Sequence, residues 1–525
     1  MSTESAPTPA QRIAQGYAVQ GQALELGTVV VDGEADPTAQ IRIPLATINR
    51  HGLVAGATGT GKTKTLQLIA EQLSAAGVPV LMADVKGDLS GLSKEGEAND
   101  KTAARAKDTG DDWKPSGFQV EFLSLGTKGI GVPIRATVDS FGPVLLSKVL
   151  GLNATQESTL GLIFHWAKDR NWRLVTTDDL RGAISYLTSD EGKEDLKSLG
   201  GVSGTTAGVI LRALVNLDAE GGDTFFGEPK LDPNDLLRNG DQGQGVISLL
   251  EFTGQSVRPV IFSTFLMWLL ADLYTKLPEV GDIDKPKLVF FFDEAHLLFA
   301  DASKAFLEQV EQTVKLIRSK GVGVFFCTQL PTDIPNDILS QLGARVQHAL
   351  RAFTPDDQKA LSRTVRTYPK TDVYDLESAL TSLGIGEAVV TVLSEKGAPT
   401  PVAWTRMRVP RSLMASIGND AIAAAAEGSP LQSKYGQTVQ QPAQPQARPQ
   451  DPQAQPGAQP PQTQSGYPPV PTDGPVPPMP EPAEPAGAKG PATWEEVLKN
   501  PTVKSGINTA IREVVKALVG GGRRK

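Results

Sequence analysis

The chain has 525 residues, of which 40% are hydrophobic, and it carries a formal net charge of -8. This length suggests two or three structural units, and the apolar fraction is enough for a large core, so a wholly disordered chain is excluded. The acidic balance, with a pI near 5.3, argues against a generally basic coat for nucleic acid, although it leaves room for a local basic channel.

Cysteine and histidine usage limits the chemistry further. Cys327 is the only cysteine, which excludes an internal disulfide and a thiolate metal cluster. The four histidines are scattered, without the spacing of zinc ligands. The first residues lack the basic and apolar regions of a secretory signal, and the longest apolar stretch is shorter than the ~20 residues that cross a bilayer. We therefore expect a cytoplasmic protein without an integral membrane segment.

The N-terminal part of the chain predicts little helix. Residues 1–12 are polar and are expected to form a disordered tail. Residues 13–48 alternate between apolar and polar types around the turn signal Asp32-Gly33, which predicts a short β-rich segment of antiparallel strands.

Residues 56–63 read GATGTGKT, a complete phosphate-binding loop that follows the apolar run 51–55. In such a loop the glycines let backbone N–H groups turn inward around phosphates, and the following helix directs its positive end at them. We expect Lys62 to neutralise the β- and γ-phosphates of ATP and Thr63 to hold Mg²⁺ through its hydroxyl. The predicted nucleotide-binding residues are Gly56, Ala57, Thr58, Gly59, Thr60, Gly61, Lys62, Thr63 and Lys64.

The rest of the chain up to residue 350 alternates between strands and helices. A helix is predicted from residue 62 to about 76, and buried strands at 78–85 and 118–125. A mostly helical insertion follows at 126–245, with helices predicted at 140–150, 155–170, 177–188 and 203–219. Strands resume at 245–250, 288–292, 322–328 and 344–350, with helices at 258–277 and 303–319 between them. This alternation predicts an α/β fold with a parallel sheet and helices on both faces.

Two of these strands end in residues that suit ATP hydrolysis. The run 288–292 ends in Asp293-Glu294, so that Asp293 is expected to bind the hydration shell of Mg²⁺ and Glu294 to polarise the attacking water. The next strand ends in Gln329, which is either a sensor of the γ-phosphate or a simple strand cap. The letters DEAH at 293–296 invite comparison with DEAH-box helicases, but the arginine-rich segment of that family is not found downstream. His296 is therefore expected to pack or to support the acid pair.

Together, the loop GATGTGKT, the strand LVFFFDEAH, Arg318 before a strand and the TQ at that strand's end resemble the HerA/FtsK superfamily of ring-forming ATPases. Residues 49–411 are similar to its HerA-like branch related to YjgR, in phrases such as LMADVKGDLSGL, GDTFFGEPKLD and RSKGVGVFFCTQ. The resemblance implies a RecA-like (ASCE) ATPase domain at 49–415, usually hexameric, with ATP bound between subunits and DNA as a possible partner.

The resemblance also assigns roles to further charged residues. It implies that Arg318 reaches into the site of the next subunit, with Arg345 and Arg351 as other candidates for this role. The alternative is that Arg318 is only a solvated charge at the end of a helix, where basic residues are favoured. Asp84 and Lys86 follow the second core strand, at the sheet edge where ligands bind in α/β folds. From this position alone, we expect either that Asp84 supports the metal site and Lys86 faces the pore or the phosphates, or that both belong to an ordinary polar turn.

The C-terminal part has a different composition. Residues 436–490 are rich in Gln and Pro and are predicted to be a disordered linker, because they cannot bury enough apolar surface. Residues 491–525 predict a C-terminal helical segment with one apolar face and a basic end, which is expected to pack on the chain's own body, with a partner or a membrane surface as alternatives.

The chain also departs from full-length HerA proteins, which carry an N-terminal β-barrel that docks a nuclease. Residues 1–48 are expected to be too few for such a barrel, so a nuclease partner is not expected, and the insertion at 126–245 is where another substrate could be read. The leading hypothesis is a ring-forming, Mg²⁺-dependent ATPase that acts as a DNA translocase or helicase-like motor. The alternative is a nucleotide-dependent scaffold or switch that recruits protein partners through its tail. A kinase-like transferase is disfavoured, because the acid pair and Gln329 suit water as the acceptor.

Overall fold

The computed structural model describes residues 7–436 except 85–86, 199–200, 202, 241, 252–258, 282 and 301. Lys86, the C-terminal helical segment and all of the predicted linker except Gly436 lie outside the described residues. Among the described helices, none is long and apolar enough to span a bilayer.

Twelve strands form one mixed sheet. They are β1 Ala23–Val31, β2 Glu34–Pro44, β3 Gly52–Ala55, β4 Val80–Asp84, β5 Val120–Leu125, β6 Val132–Ile134, β7 Ile247–Glu251, β8 Leu288–Phe292, β9 Val322–Thr328, β10 Ala344–Gln347, β11 Glu387–Thr391 and β12 Ala403–Met407. Their spatial order is β2-β1-β12-β11-β10-β3-β9-β8-β4-β7-β5-β6. The eight strands from β10 to β6 are parallel, which confirms the predicted parallel sheet.

The other four strands extend the sheet in antiparallel fashion. Strands β11 and β12 were not predicted, and they join the parallel part to the N-terminal hairpin of β1 and β2. The hairpin turns at Asp32-Gly33, as predicted, with φ of 51° and 82° at these two residues. The predicted β-rich segment at 13–48 is therefore the outer edge of the same sheet.

Helices cover both faces of the sheet. Outside the insertion they are α1 Pro9–Gln15, α2 Lys62–Ala75, α3 Asp100–Thr109, α10 Pro259–Lys276, α11 His296–Phe299, α12 Lys304–Ile317, α13 Asn336–Leu339, α14 Pro355–Val365, α15 Leu376–Ser382, α16 Asn419–Glu427 and α17 Gln432–Tyr435. Those of the insertion are α4 Val138–Leu150, α5 Ala154–Asp169, α6 Thr177–Thr188, α7 Lys193–Ser198, α8 Gly204–Ala219 and α9 Gly222–Phe225. Each of the six helices predicted between residues 140 and 319 is present, with its ends shifted by no more than two residues.

The prediction of a disordered tail over residues 1–12 is wrong for residues 9–12, which form the start of α1. Thr8 and Gln11 make a capping box, in which each side chain accepts a hydrogen bond from the other residue's backbone amide. Ile13 and Tyr17 are buried against the hairpin, and the Tyr17 hydroxyl donates to the Val390 carbonyl at 2.8 Å. The polar composition of residues 1–12 gave no sign of this short helix, because it is stabilised by contacts of the following residues with the sheet.

Parallel strand β8 is buried on both faces and joins two hydrophobic cores. Phe290 and Phe292 belong to the core that also contains the helices of the insertion, whereas Phe291 belongs to the core around α2. The insertion is tied to the sheet by this shared core and by the Trp268 indole of α10, which donates to the Ser140 carbonyl at 3.0 Å. The insertion is therefore continuous with the sheet and its helices rather than a separate unit.

His51 directly precedes β3, the strand that leads into the phosphate-binding loop, and its ring hydrogen-bonds to β9 and α12. The Val324 amide donates to Nδ1 of His51 at 3.0 Å, so the proton resides on Nε2, which donates to the Val314 carbonyl at 2.8 Å. The ring is neutral, because burial lowers the pKa of His51 to about 4. The hydrogen bond to Val314 raises this pKa, and the positive charge of Arg318 lowers it by a smaller amount.

We predict that His51 makes folding depend on pH. Since the folded pKa lies near 4 and the unfolded one near 6.5, the unfolded chain takes up a proton first as the pH falls. The free energy of unfolding should therefore drop by about 2 kcal/mol from this residue between pH 7 and pH 5. Denaturant titrations of the wild type and His51→Gln at both pH values check this. The variant should have a smaller free energy of unfolding than the wild type at pH 7, but this free energy should decrease less between pH 7 and pH 5. An equal decrease in both proteins would contradict the prediction.

Candidate functional site

The phosphate-binding loop is held open by backbone hydrogen bonds to its neighbours. The Gly56 amide donates to the Thr328 carbonyl at 3.2 Å, and the Ala57 amide donates to the Ala349 carbonyl at 2.8 Å. Gly56 has a φ of 151°, and a Cβ atom there would lie 2.6 Å from the Cβ of His348. Glycine is required at this position by both the backbone angle and the close approach.

Lys62 closes over the loop. Its Nζ donates to the Gly56 carbonyl at 2.6 Å and to the Ala57 carbonyl at 3.1 Å, and the Thr60 hydroxyl donates to the same Ala57 carbonyl at 2.7 Å. Thr63, in the first turn of α2, is half-buried. The ammonium group therefore lies at the centre of the loop, where a phosphate oxygen would replace the carbonyls as its partner.

The N-terminus of α2 is suited to an anion. Gly61 caps this 14-residue helix with a φ of 116°, makes no side-chain capping bond, and no acidic residue occurs in the first turn. The first backbone N–H groups of a helix have no partner within it and carry its positive end. The positive end is therefore not compensated by the helix's own side chains, as a phosphate site requires.

The acid pair lies across one strand from the loop. Strand β9 lies between β3 and β8, and its register pairs Val54 with Cys327 and Phe292 with Phe326. Adjacent strands are ~4.8 Å apart, so the ends of β3 and β8 are separated by about 10 Å. The edge of the sheet thus brings the loop and Asp293 to the same side.

The charges of Lys62 and Asp293 both influence the pKa of the Cys327 thiol on β9. Burial raises its pKa well above the usual range, the Asp293 carboxylate adds to this through charge and a hydrogen bond, and Lys62 opposes it. The backbone agrees, because the Gly56 amide of the loop donates to the Thr328 carbonyl at 3.2 Å and the Ala295 amide after the acid pair donates to the Cys327 carbonyl at 2.8 Å. The structure brings together the two residues that were predicted to share one metal-bound triphosphate.

Glu294 has an unusual backbone. Its φ is 47°, in the left-handed region that residues other than glycine seldom adopt, and its amide donates to Oδ1 of Asp293 at 2.9 Å. Its side chain is 16% exposed and lies 3.4 Å from Nδ1 of His296. Strain of this kind is typical of functional sites, where the surrounding structure fixes a side chain in place. His296 contacts the acid pair, in line with the supporting role expected from the sequence.

Gln329 is at the same edge of the sheet, one residue after the end of β9, and its side chain is exposed. The preceding Thr328 hydroxyl donates to Oδ2 of Asp333 at 2.7 Å, and the Leu330 amide donates to the same oxygen at 3.0 Å. Asp333 therefore anchors the residues on both sides of Gln329, at the edge of the sheet where the acid pair follows β8.

Two predicted residues make contacts away from the phosphate loop. Asp84 accepts hydrogen bonds from the amides of Gly87, Asp88 and Leu89 at 2.6 to 3.1 Å, which favours the polar-turn interpretation over a role in metal binding. Lys64 directs Nζ to the Met414 carbonyl at 3.0 Å, so contact with a nucleotide is left to its backbone amide.

Sequence analysis missed His348, which lies beneath the loop. Nδ1 lies 2.8 Å from the Glu387 carbonyl and Nε2 lies 2.9 Å from the Thr65 hydroxyl. A carbonyl only accepts, so Nδ1 carries the proton and the hydroxyl donates to Nε2. Burial lowers the pKa of His348 to about 4, and the charge of Lys62 acts in the same direction. The only sequence signal was a histidine within the apolar run predicted as a strand at 344–350.

Sequence analysis also missed a strap, residues 408–417, that crosses α2. Both oxygens of the Glu71 carboxylate accept from the Arg411 amide, at 2.8 and 3.0 Å, and the Ser412 amide donates to one of them at 3.2 Å. Gln67 donates to the Leu413 carbonyl at 2.9 Å. Burial raises the pKa of Glu71 to about 7 despite these hydrogen bonds. The spacing of Lys64, Gln67 and Glu71 places all three on one face of α2, beneath the strap.

The candidate arginines differ in their distance from the loop. Arg318 is exposed and precedes β9, a seven-residue strand that spans about 23 Å, so it lies at the edge opposite the loop and does not reach the loop of its own chain. Arg345 is the second residue of β10, level with Leu53 of β3, and it donates to the Thr367 carbonyl at 3.0 Å. Arg351 follows β10 at the edge of the loop and is exposed.

Comparison with known proteins identifies the family. The family model described as helicase HerA-like C-terminal matches residues 30–525, whereas no curated protein gives a significant match. The conjugative coupling protein TrwB, truncated at its N-terminus and in complex with sulphate, aligns with a TM-score of 0.51 at 14% identity, covering 79% of this chain and 94% of that chain. TrwB in complex with ADP and Mg²⁺ aligns with a TM-score of 0.50 at 16% identity, covering 79% of this chain and 95% of that chain. VirB4 of Thermoanaerobacter pseudethanolicus aligns with a TM-score of 0.46 at 13% identity, covering 74% of this chain and 97% of that chain.

These matches confirm the RecA-type α/β fold that the sequence predicts. The matched residues contain the phosphate loop, the acid pair and the strap described above. The chain belongs to the helicase HerA-like C-terminal family.

Proposed function

We propose that this protein is a Mg²⁺-dependent ATPase that assembles into a ring and moves along DNA. The observation that carries the hydrolytic part of the proposal is that the loop and the acid pair are anchored to neighbouring carbonyls of β9. The Gly56 amide donates to the Thr328 carbonyl at 3.2 Å, and the Ala295 amide, directly after Glu294, donates to the Cys327 carbonyl at 2.8 Å. A phosphate loop and an acid pair in this arrangement suit transfer of a phosphoryl group to water.

The residues at this edge fit ATP with Mg²⁺. Lys62 would exchange the carbonyls of Gly56 and Ala57 for phosphate oxygens, while the N-terminus of α2 faces the remaining charge. The Thr63 hydroxyl and the Asp293 carboxylate would hold Mg²⁺, an ion that keeps several waters and takes few protein ligands. Mg²⁺ neutralises charge on the phosphates. The fold is shared with a protein solved with ADP and Mg²⁺.

Glu294 acts as the base that orients the attacking water. Its side chain is largely buried beside His296, and its strained backbone fixes its direction. Gln329 contacts the γ-phosphate and reports its loss to β9, whose backbone also anchors Gly56. Because one strand carries both the sensor and an anchor of the loop, hydrolysis and loop geometry are linked through β9.

We predict that Glu294→Gln binds ATP with an affinity close to that of the wild type but hydrolyses it at least 100-fold more slowly, since the amide does not accept the proton of water. Steady-state phosphate release and equilibrium binding of ATP check the two parts. The isosteric change keeps the backbone amide that donates to Asp293. Turnover at the wild-type rate would remove Glu294 from the mechanism.

We propose that Arg318 completes the site of the neighbouring subunit. It is exposed at the sheet edge opposite the loop, about 23 Å from the site in its own chain, so any catalytic role must be in trans. A guanidinium group that enters from a neighbour stabilises the charge of the transition state. This requirement is met by a head-to-tail interface, which places one edge of each subunit against the other edge of the next and generates a ring when the rotation between subunits closes.

A mixing experiment tests the trans role of Arg318. Arg318→Ala and Lys62→Ala should each lower ATP turnover by about 10³-fold or more. When the two variants are assembled together, about a quarter of random head-to-tail interfaces pair an intact loop with an intact arginine, so activity should reappear. Rings of Lys62→Ala with Glu294→Gln form the control and should stay inactive, because both changes damage the site of the subunit that carries them. Absence of recovery in the first mixture would exclude action in trans.

DNA is proposed as the polymer because the chain belongs to a helicase-like family. We predict that double-stranded DNA stimulates ATP turnover and that this stimulation decreases as salt rises, since phosphate contacts release counterions. ATPase assays from 50 to 200 mM salt, with native mass measurements, check both the stimulation and the ring. Turnover that is indifferent to DNA in an assembled ring would favour the nucleotide-dependent scaffold instead.

A further inference from the structure

The turn before β11 (residues 383–387) exposes a large apolar side chain close to the phosphate loop. Ile385 is 76% exposed and Phe353 is 84% exposed, and they are the two most exposed large apolar side chains among the described residues. Single exposed hydrophobic residues are common on protein surfaces. Ile385 differs from an ordinary one in how firmly its backbone is held and in what that backbone contacts.

The turn is fixed by hydrogen bonds on both of its sides. Glu387 accepts from the Gly384 amide at 3.0 Å, while the Glu387 amide donates to the Gly384 carbonyl at 3.0 Å. Arg105 of α3 donates to the carbonyls of Ile385 and Gly386 at 3.2 and 3.1 Å. Gly386 has a φ of 74°, which suits glycine. Ile385 is therefore presented on a rigid turn, so that contact with a ligand would cost little conformational entropy.

The same turn is joined directly to the phosphate loop. The Gly386 amide donates to the Thr60 carbonyl at 3.1 Å, and a Cβ atom placed on Gly61 would lie 3.3 Å from the Cα of Gly386. Since consecutive Cα atoms are 3.8 Å apart, the Cα of Ile385 lies within about 9 Å of the Cα of Gly61. This distance is within reach of the nucleoside part of a nucleotide whose phosphates occupy the loop.

The position of the acid pair decides which end of the nucleotide points at this turn. Asp293 and Glu294 lie on the β9–β8 side of the loop, so the γ-phosphate must face that side. The turn lies on the opposite side of the loop, with β10 and β11. Phe353 follows β10 on this same side, four residues after Ala349, whose carbonyl accepts from the loop amide of Ala57. An extended nucleotide with its phosphates in the loop thus directs its base toward Ile385 and Phe353.

We propose that Ile385, together with Phe353, forms the apolar face on which the base of the bound nucleotide packs. This inference rests on the proposed ATPase function and names the part of the site that holds the base. Apolar side chains contribute to base binding by removing ring surface from water, and an aromatic ring adds stacking. Neither side chain contacts the phosphates, so their effect is confined to the nucleoside.

Binding measurements on the full chain test the proposal. The affinities of ADP and of inorganic tripolyphosphate, which has no base, are measured by calorimetry for the wild type, Ile385→Ala and Ile385→Phe. The alanine variant should bind ADP about fivefold to tenfold more weakly and tripolyphosphate as the wild type does. The phenylalanine variant should bind ADP at least as tightly as the wild type, because it offers a larger flat surface. Val215→Ala, which changes a 52% exposed side chain on α8, is the matched control and should leave both affinities unchanged.

The outcomes separate this inference from the proposed function. Equal ADP affinity of the wild type and Ile385→Ala would overturn the base contact, as would an equal loss for ADP and tripolyphosphate. A change in native mass with unaltered ADP affinity would also overturn it and assign Ile385 to contact with a second copy of the chain. A wild-type protein that binds neither ligand would instead overturn the proposed ATPase function itself.

Discussion

The functional edge of this sheet depends on how the phosphate loop is kept open. A loop that binds phosphate needs inward-facing N–H groups, yet backbone groups that lack partners tend to find them within the chain. Here the neighbours of β3 supply those partners at the start of the loop, where Gly56 donates to the last residue of β9 and Ala57 donates to the chain after β10. Near its middle, the Thr60 carbonyl accepts from Gly386. The loop is therefore shaped by three segments that are distant in sequence, and the glycines only permit that shape.

The electrostatics of the site follow from which buried groups remain uncharged. Burial lowers the pKa of His348, beneath the loop, to about 4, and burial together with the Asp293 carboxylate raises the pKa of Cys327 on β9. Both are therefore neutral at physiological pH. The field at the loop is set by Lys62 and by the end of α2 on one side and by the acid pair on the other. A protonated His348 would add a second cation under the loop, and burial prevents this.

The parts of the fold that the sequence predicts correctly are those with local signals. Strands β4, β8 and β9 are unbroken apolar runs because parallel strands are buried on both faces, and the loop pattern determines a strand before it and a helix after it. The parts that it does not predict depend on partners far along the chain. Strand β10 ends at Gln347 rather than at residue 350, because the Leu350 amide turns to the Leu380 carbonyl of α15. The strap is held to α2 by contacts such as Gln67 to Leu413, across 346 residues.

The same long-range contacts limit how hydrolysis can produce movement. The insertion shares one hydrophobic core with the sheet, so it has no internal boundary at which it could hinge against the ATPase domain. The strap is different, because Glu71, Gln67 and Lys64 hold it mainly through its backbone, and Met414 within it is 40% exposed. These three side chains belong to the helix whose N-terminus faces the phosphates. A shift of α2 on loss of phosphate would therefore be passed to the strap and to α16 beyond it, without any change in the packed core. For the proposed ring, we expect motion to arise between subunits and along the strap rather than within the sheet.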